Sequence, residues 1–134
     1  MDPAHFPADH FQALVDEAVA SLPKRFRDAM TNMAIVIEDE PTPEQLALVE
    51  IEPPDSLYGL YEGTPLPERQ WAHGNTLPDK VTIFRIPILE DSADDDDVVV
   101  GIGETLIHEV GHYFGLSEEE IMDIEERYWR GEAE

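Results

Sequence analysis

The thirteen residues from His108 to Glu120 constrain this chain more than any others. His108 and His112 stand four apart, so on a helix they lie one turn from each other on one face and reach the same metal ion. Glu109, directly after the first histidine, is placed to hold a water beside that ion and take its proton. Gly115 falls where a glycine ends a helix by turning the chain left-handed. Ser117 to Glu120 then reads S-x-x-E, a capping box that opens a new helix. The segment therefore predicts a helix, a glycine stop and an immediate second helix. The box gives Glu120 a local task and leaves Glu118 free at the first position of the new helix. Glu118 is the expected third metal ligand beside His108 and His112, with Glu119 and Asp123 as weaker alternatives. Three protein ligands leave one position open, which separates a catalytic site from a structural one.

Length and composition bound the rest. At 134 residues the chain reads as one domain, 1–134, large enough to bury a core without staples. It contains no cysteine, so disulfides and thiolate ligands are excluded, and any zinc must sit on His, Asp or Glu. With 31 acidic and 8 basic residues the net charge is −23, which argues against nucleic acid or an anionic membrane as partner. No apolar run approaches the roughly 20 residues of a membrane span, and the N-terminus lacks the pattern of a signal peptide. A cytoplasmic location is expected. Asp94 to Asp97 lack the glycine and ligand spacing of an EF-hand loop. They read as an exposed acidic loop before a helix N-terminus.

Apolar spacing places the remaining elements. Phe11, Leu14, Val15, Ala18, Val19 and Leu22 make one stripe of a helix from about His10 to Leu22 with Asp9 as cap, and Lys24 to Met30 add a further turn beyond Pro23. Met33 to Ile37 read as a buried strand. Pro43 to Val49 suit a short helix capped by Thr42. Leu57 to Leu66, aromatics among glycines, read as a short strand or irregular loop, and Glu68 to Pro78 as a polar connection. Val81 to Leu89 form the strongest strand, placed at an edge or ended by Pro87. The metal-site helix is expected from about Val98 to Phe114 and the last from about Glu118 to Trp129. On the former, Gly101 shares a side with Thr105, His108 and His112 and leaves room for a cleft, while Glu104 is a candidate partner for the outer nitrogen of His108. His5, His10 and His73 read as ordinary surface histidines. The class is α+β, a small sheet packed on two or three helices.

Three segments carry a resemblance. The tail HExxHxxGxxE, His108 to Glu118, is joined upstream by Leu57 to Leu66, similar to LGLYxGxPL, and by Pro78 to Arg85, similar to PDxITLF. Together, over roughly residues 30 to 130, they resemble the small zincin-like metallopeptidases, compact bacterial proteins. In the related metzincins a third histidine stands where this chain has Glu118. The resemblance implies a minimal zincin fold: a small twisted sheet, an N-terminal helix, an HExxH active-site helix and a C-terminal helix. It also implies a Zn²⁺ cofactor on His108, His112 and Glu118, and hydrolysis of a peptide or protein substrate with Glu109 as general base. An exposed edge of the strand Val81 to Ile86 would pair with an extended peptide. Tyr58, Tyr61, His73 and Arg85 are weighed as oxyanion stabilisers, though packing or surface roles suit each better. The alternative is a non-enzymatic metal-binding or interaction module on the same scaffold. Hydrolysis of a non-peptide amide is not separated from the first reading, and the oligomeric state stays open.

Overall fold

The computed structural model describes residues 1–49, 57–63 and 79–130. Among them are a 3-10 turn (Pro3–His5), six α-helices and a three-stranded sheet. The first helices are α1 (Ala8–Ser21) and α2 (Lys24–Met30), followed by strand β1 (Ala34–Glu38) and α3 (Pro43–Leu48). Next come strands β2 (Gly59–Glu62) and β3 (Lys80–Phe84). The chain closes with α4 (Arg85–Glu90), α5 (Asp95–Phe114) and α6 (Glu118–Trp129). The fold is α+β, with the helix, glycine stop and second helix where the spacing puts them. His73 and the connection Glu68 to Pro78 lie outside the described residues.

Four residues of the α1 stripe, Phe11, Leu14, Val15 and Ala18, are buried against the core face of α5, with Val98, Ile102, Leu106 and Val110, while Val19 is partly buried and Leu22, buried too, caps the end of the helix. Each such side chain stabilises the fold by about 1.5–3 kcal/mol relative to leaving it in water, so this helix pair is a principal source of stability. The start of α1 differs from expectation. Pro7 is the N-cap, and Asp9 lies inside the first turn, where its charge still suits the helix dipole. In α3 the capping residue is as expected, with Thr42 and Gln45 bonding reciprocally.

The strand order is β1-β3-β2, with β1 parallel to β3 and β2 antiparallel to it. This corrects two expectations. Met33 to Ile37 were expected as a buried strand, but β1 is an edge, its last four residues only half-buried. The strand from Val81 is not an edge: β3 is paired on both sides, so no substrate can add to it. It also stops at Phe84, and residues 85–90 are helical. Pro87 is the third residue of that helix, where no intrahelical partner waits for an N–H, so its missing donor costs nothing. The run is apolar on all sides because it is buried in both forms; Val81, Ile83, Ile88 and Leu89 all join the core.

The acidic run before α5 is the helix's own first turn rather than a loop. Asp94 caps it by accepting from the Asp97 amide, and Asp95 to Asp97 lie at the positive end of the dipole. At the other end Gly115 has φ 73°. Its N–H donates to the His112 carbonyl and that of Leu116 to Gly111, both at 3.0 Å, a Schellman closure. Two residues on, Ser117 and Glu120 form the capping box at the start of α6.

The sharp turn sends α6 back along α5. Ile121 lies over Gly111 and Tyr128 over Gly103, each so close that a methyl on the glycine would collide with it. Gly101, expected to open the cleft, instead faces Ile88 of α4. No helix among the described residues is long and apolar enough to cross a membrane.

Candidate metal centre

The helix α5 carries His108, Glu109 and His112, and one potential ligand atom from each lies within 4.8 Å of the others. The two imidazole centroids are 4.7 Å apart, as the one-turn spacing requires. A further carboxylate stands against these histidines from the start of α6. Oε1 of Glu118 is 3.5 Å from Nε2 of His112 and 3.8 Å from Nε2 of His108. One carboxylate oxygen thus stands against the same nitrogen of both rings. Of the other acids weighed for this place, Asp123 is paired at 2.8 Å with Arg127, and Glu119 lines the outer side of α6. Glu120 is held in the capping box. Two imidazole nitrogens and a carboxylate facing them form a donor set suited to a divalent metal ion.

Glu109 lies beside the two histidines and, unlike them, is buried. Its Oε1 accepts the Tyr61 amide hydrogen at 2.9 Å and lies 3.8 Å from Nδ1 of His112. Burial raises its pKa, opposed by the Tyr61 hydrogen bond and the two histidines. Because Phe84 donates to the Tyr58 carbonyl across the antiparallel ladder, the alternation of that ladder turns the Tyr61 amide to the other edge of β2, toward α5. The strand that meets the site is therefore β2.

A cleft of about 340 Å³ opens beside His108, walled by Tyr58, Gly59, Glu104, His108, Glu109 and Glu125. A wider, shallower depression of about 800 Å³ runs along the outside of α6 but touches neither histidine, so the chemistry points to the smaller one. Burial, and then the nearby Glu125, push Glu104 up to about 7. Glu104 was one candidate for the outer nitrogen of His108, but the acid facing that nitrogen is Glu125, with Oε1 3.7 Å from Nδ1. The signal was present: Glu125 is seven residues from Glu118, two turns on, and so on the same face of α6.

The oxyanion candidates among the described residues, Tyr58, Tyr61 and Arg85, are engaged elsewhere, and His73 lies outside those residues. The Tyr58 hydroxyl donates to Asp91, which pushes its pKa up to about 12, and that of Tyr61 to Asp79. Arg85 holds Asp39 and the Pro3 carbonyl. His5 and His10 are exposed and paired with Asp2 and Asp95, as surface histidines.

No protein with a curated description matches this chain. The zincin-like metallopeptidase family does, over residues 30–128, which take in the sheet, the metal-site helix and most of α6. By that match and the histidine–glutamate–histidine geometry it contains, the chain belongs to the zincin-like metallopeptidase family.

Proposed function

We propose that the protein is a zinc-dependent peptidase whose site is the open face between α5, the start of α6 and the outer edge of β2. The observation that carries this reading is the placement of one Glu118 oxygen against Nε2 of both histidines, with Glu109 buried beside them. His108, His112 and Glu118 would hold the ion, and two imidazoles with a carboxylate suit zinc. A zinc ion there supplies Lewis acidity to a carbonyl and acidifies water in contact with it. Glu109 takes the proton from the attacking water and delivers it to the leaving amine. Its Oε1 is fixed by the Tyr61 amide, and burial keeps its pKa above that of an ordinary carboxylate, both of which suit a base. Because β3 is paired on both sides, an extended peptide substrate would meet β2 instead, at main-chain groups other than the Tyr61 amide, which Glu109 holds.

The test is Glu109→Gln. The variant should bind zinc as the parent does and lose about 10²- to 10⁴-fold in hydrolysis of a peptide library; unchanged turnover would remove Glu109 as the base. A second reading, a metal-binding module without turnover, is favoured by one observation: the Tyr58, Tyr61 and Arg85 donors are all taken up by acids. Zinc binding without any zinc-dependent cleavage of the library would select it.

A further inference from the structure

We propose that Glu125 is a positioning residue that fixes the ring and the tautomer of His108, so that Nε2 is presented to the metal ion. This rests on the metal-site reading above. The imidazole of His108 stands between two carboxylates from one helix: Glu118 Oε1 is 3.8 Å from Nε2, and Glu125 Oε1 is 3.7 Å from Nδ1. A neutral imidazole has one N–H and one lone pair, and an acceptor beside one nitrogen draws the hydrogen there and leaves the lone pair on the other. The two carboxylates accept at nearly equal distance, so their setting decides: Glu125, the less exposed, is screened less by water than Glu118, draws the hydrogen to Nδ1 and leaves the lone pair on Nε2, on the side where His112 stands. The two acids differ in setting. The Glu118 side chain is 68% exposed, as befits a ligand at an open site, and that of Glu125 is 23% exposed, between α6 and the cleft wall.

Among the described residues, no other acid is paired with Nδ1 of His108. Glu104, on the same helix as His108, lines the cleft near Glu125. His112 has a different arrangement: its Nδ1 faces Glu109 Oε1, which already accepts the Tyr61 amide. The two metal-site histidines are therefore held unequally, and His108 depends on α6 at both nitrogens.

The experiment has two readouts on the same proteins: wild type, Glu125→Ala, Glu125→Gln and Glu104→Gln. The first is the nitrogen chemical shifts of the imidazoles in metal-free protein at a pH where they are neutral, which report the tautomer directly. His108 should carry its hydrogen on Nδ1 in wild type, lose that preference in Glu125→Ala, and keep it in Glu125→Gln, whose amide oxygen still accepts. The second is zinc affinity by competition with a chromophoric chelator. It should fall about 10- to 100-fold in Glu125→Ala and recover in Glu125→Gln, with Glu104→Gln close to wild type. An unchanged His108 tautomer in Glu125→Ala would overturn the proposal, even with weakened zinc binding, because Glu125 would then act through packing alone. Failure of the wild type to bind zinc would overturn the metal-site reading instead and leave the tautomer result standing on its own.

Discussion

The contact between Ile121 and Gly111 makes a prediction whose sign changes with background. A methyl built on Gly111 would lie 2.7 Å from both Cδ1 and Cγ1 of Ile121. Ile121 is fully buried and has no solvent to retreat into. Overpacking of this kind costs about 1–3 kcal/mol. Replacing glycine with alanine inside a helix returns about 1 kcal/mol through backbone entropy. Gly111→Ala should therefore destabilise the protein by about 0–2 kcal/mol. Ile121→Ala alone should cost about 2–5 kcal/mol by leaving a cavity. In that second background both colliding atoms are gone, and the Ile121 Cβ, at 3.9 Å, is an ordinary contact. Gly111→Ala then keeps its helix gain and refills about one methyl of the cavity, worth roughly 0.8 kcal/mol. It should stabilise by about 1–2 kcal/mol, giving a coupling of about 2–3 kcal/mol, at the upper end for residues in contact. The assay is urea unfolding of the four metal-free proteins, compared at equal m. Equal effects of Gly111→Ala in both backgrounds would refute the packing argument, as would stabilisation in the parent.

Gly115→Ala puts a β-carbon at φ 73° and should cost about 1–2 kcal/mol in the same unfolding assay, with Gly115→Asn costing less. Glu104 gives a pH dependence. Its folded-state pKa, pushed up to about 7 by burial and Glu125, exceeds that of the unfolded chain, so the folded form binds the proton more tightly. Its contribution to the stability of metal-free protein is greatest below the ordinary carboxylate range, falls as pH rises toward about 7, and is level above that. Glu104→Gln should flatten this slope in urea titrations at several pH values; an unaltered slope would place its origin elsewhere.

What the sequence showed and what it hid divide by range. The α5–turn–α6 unit was legible because every determinant is local: His108 and His112 one turn apart, Gly115 at the stop, Ser117 and Glu120 closing on each other. The same locality singled out Glu118 as the acid free to meet the histidines. Val81 to Leu89 misled because a β-branched, largely buried run satisfies strand and helix alike, and Pro87 is tolerated by both readings in different places. The position of β3 between β1 and β2 follows from a parallel pairing across more than forty residues, which no local pattern encodes. Glu125 was missed for a related reason. Its spacing from Glu118 was readable, but which face of α6 meets α5 depends on Ile121 and Tyr128 settling on Gly111 and Gly103.

That shared face has a consequence for how the molecule can vary. Glu118, Ile121, Glu125 and Tyr128 follow one seam of α6, so the residues that dock the helix and those that meet the histidines are set by a single registration. A cation held by His108, His112 and Glu118 would act as a cross-link between the two helices, and its binding energy would be docking energy for α6. Excess ligand would then stabilise the seam in proportion to the logarithm of its concentration. Removing it would loosen the helix that carries its third ligand. Affinity for such an ion and attachment of the last helix would then be linked, each strengthening the other.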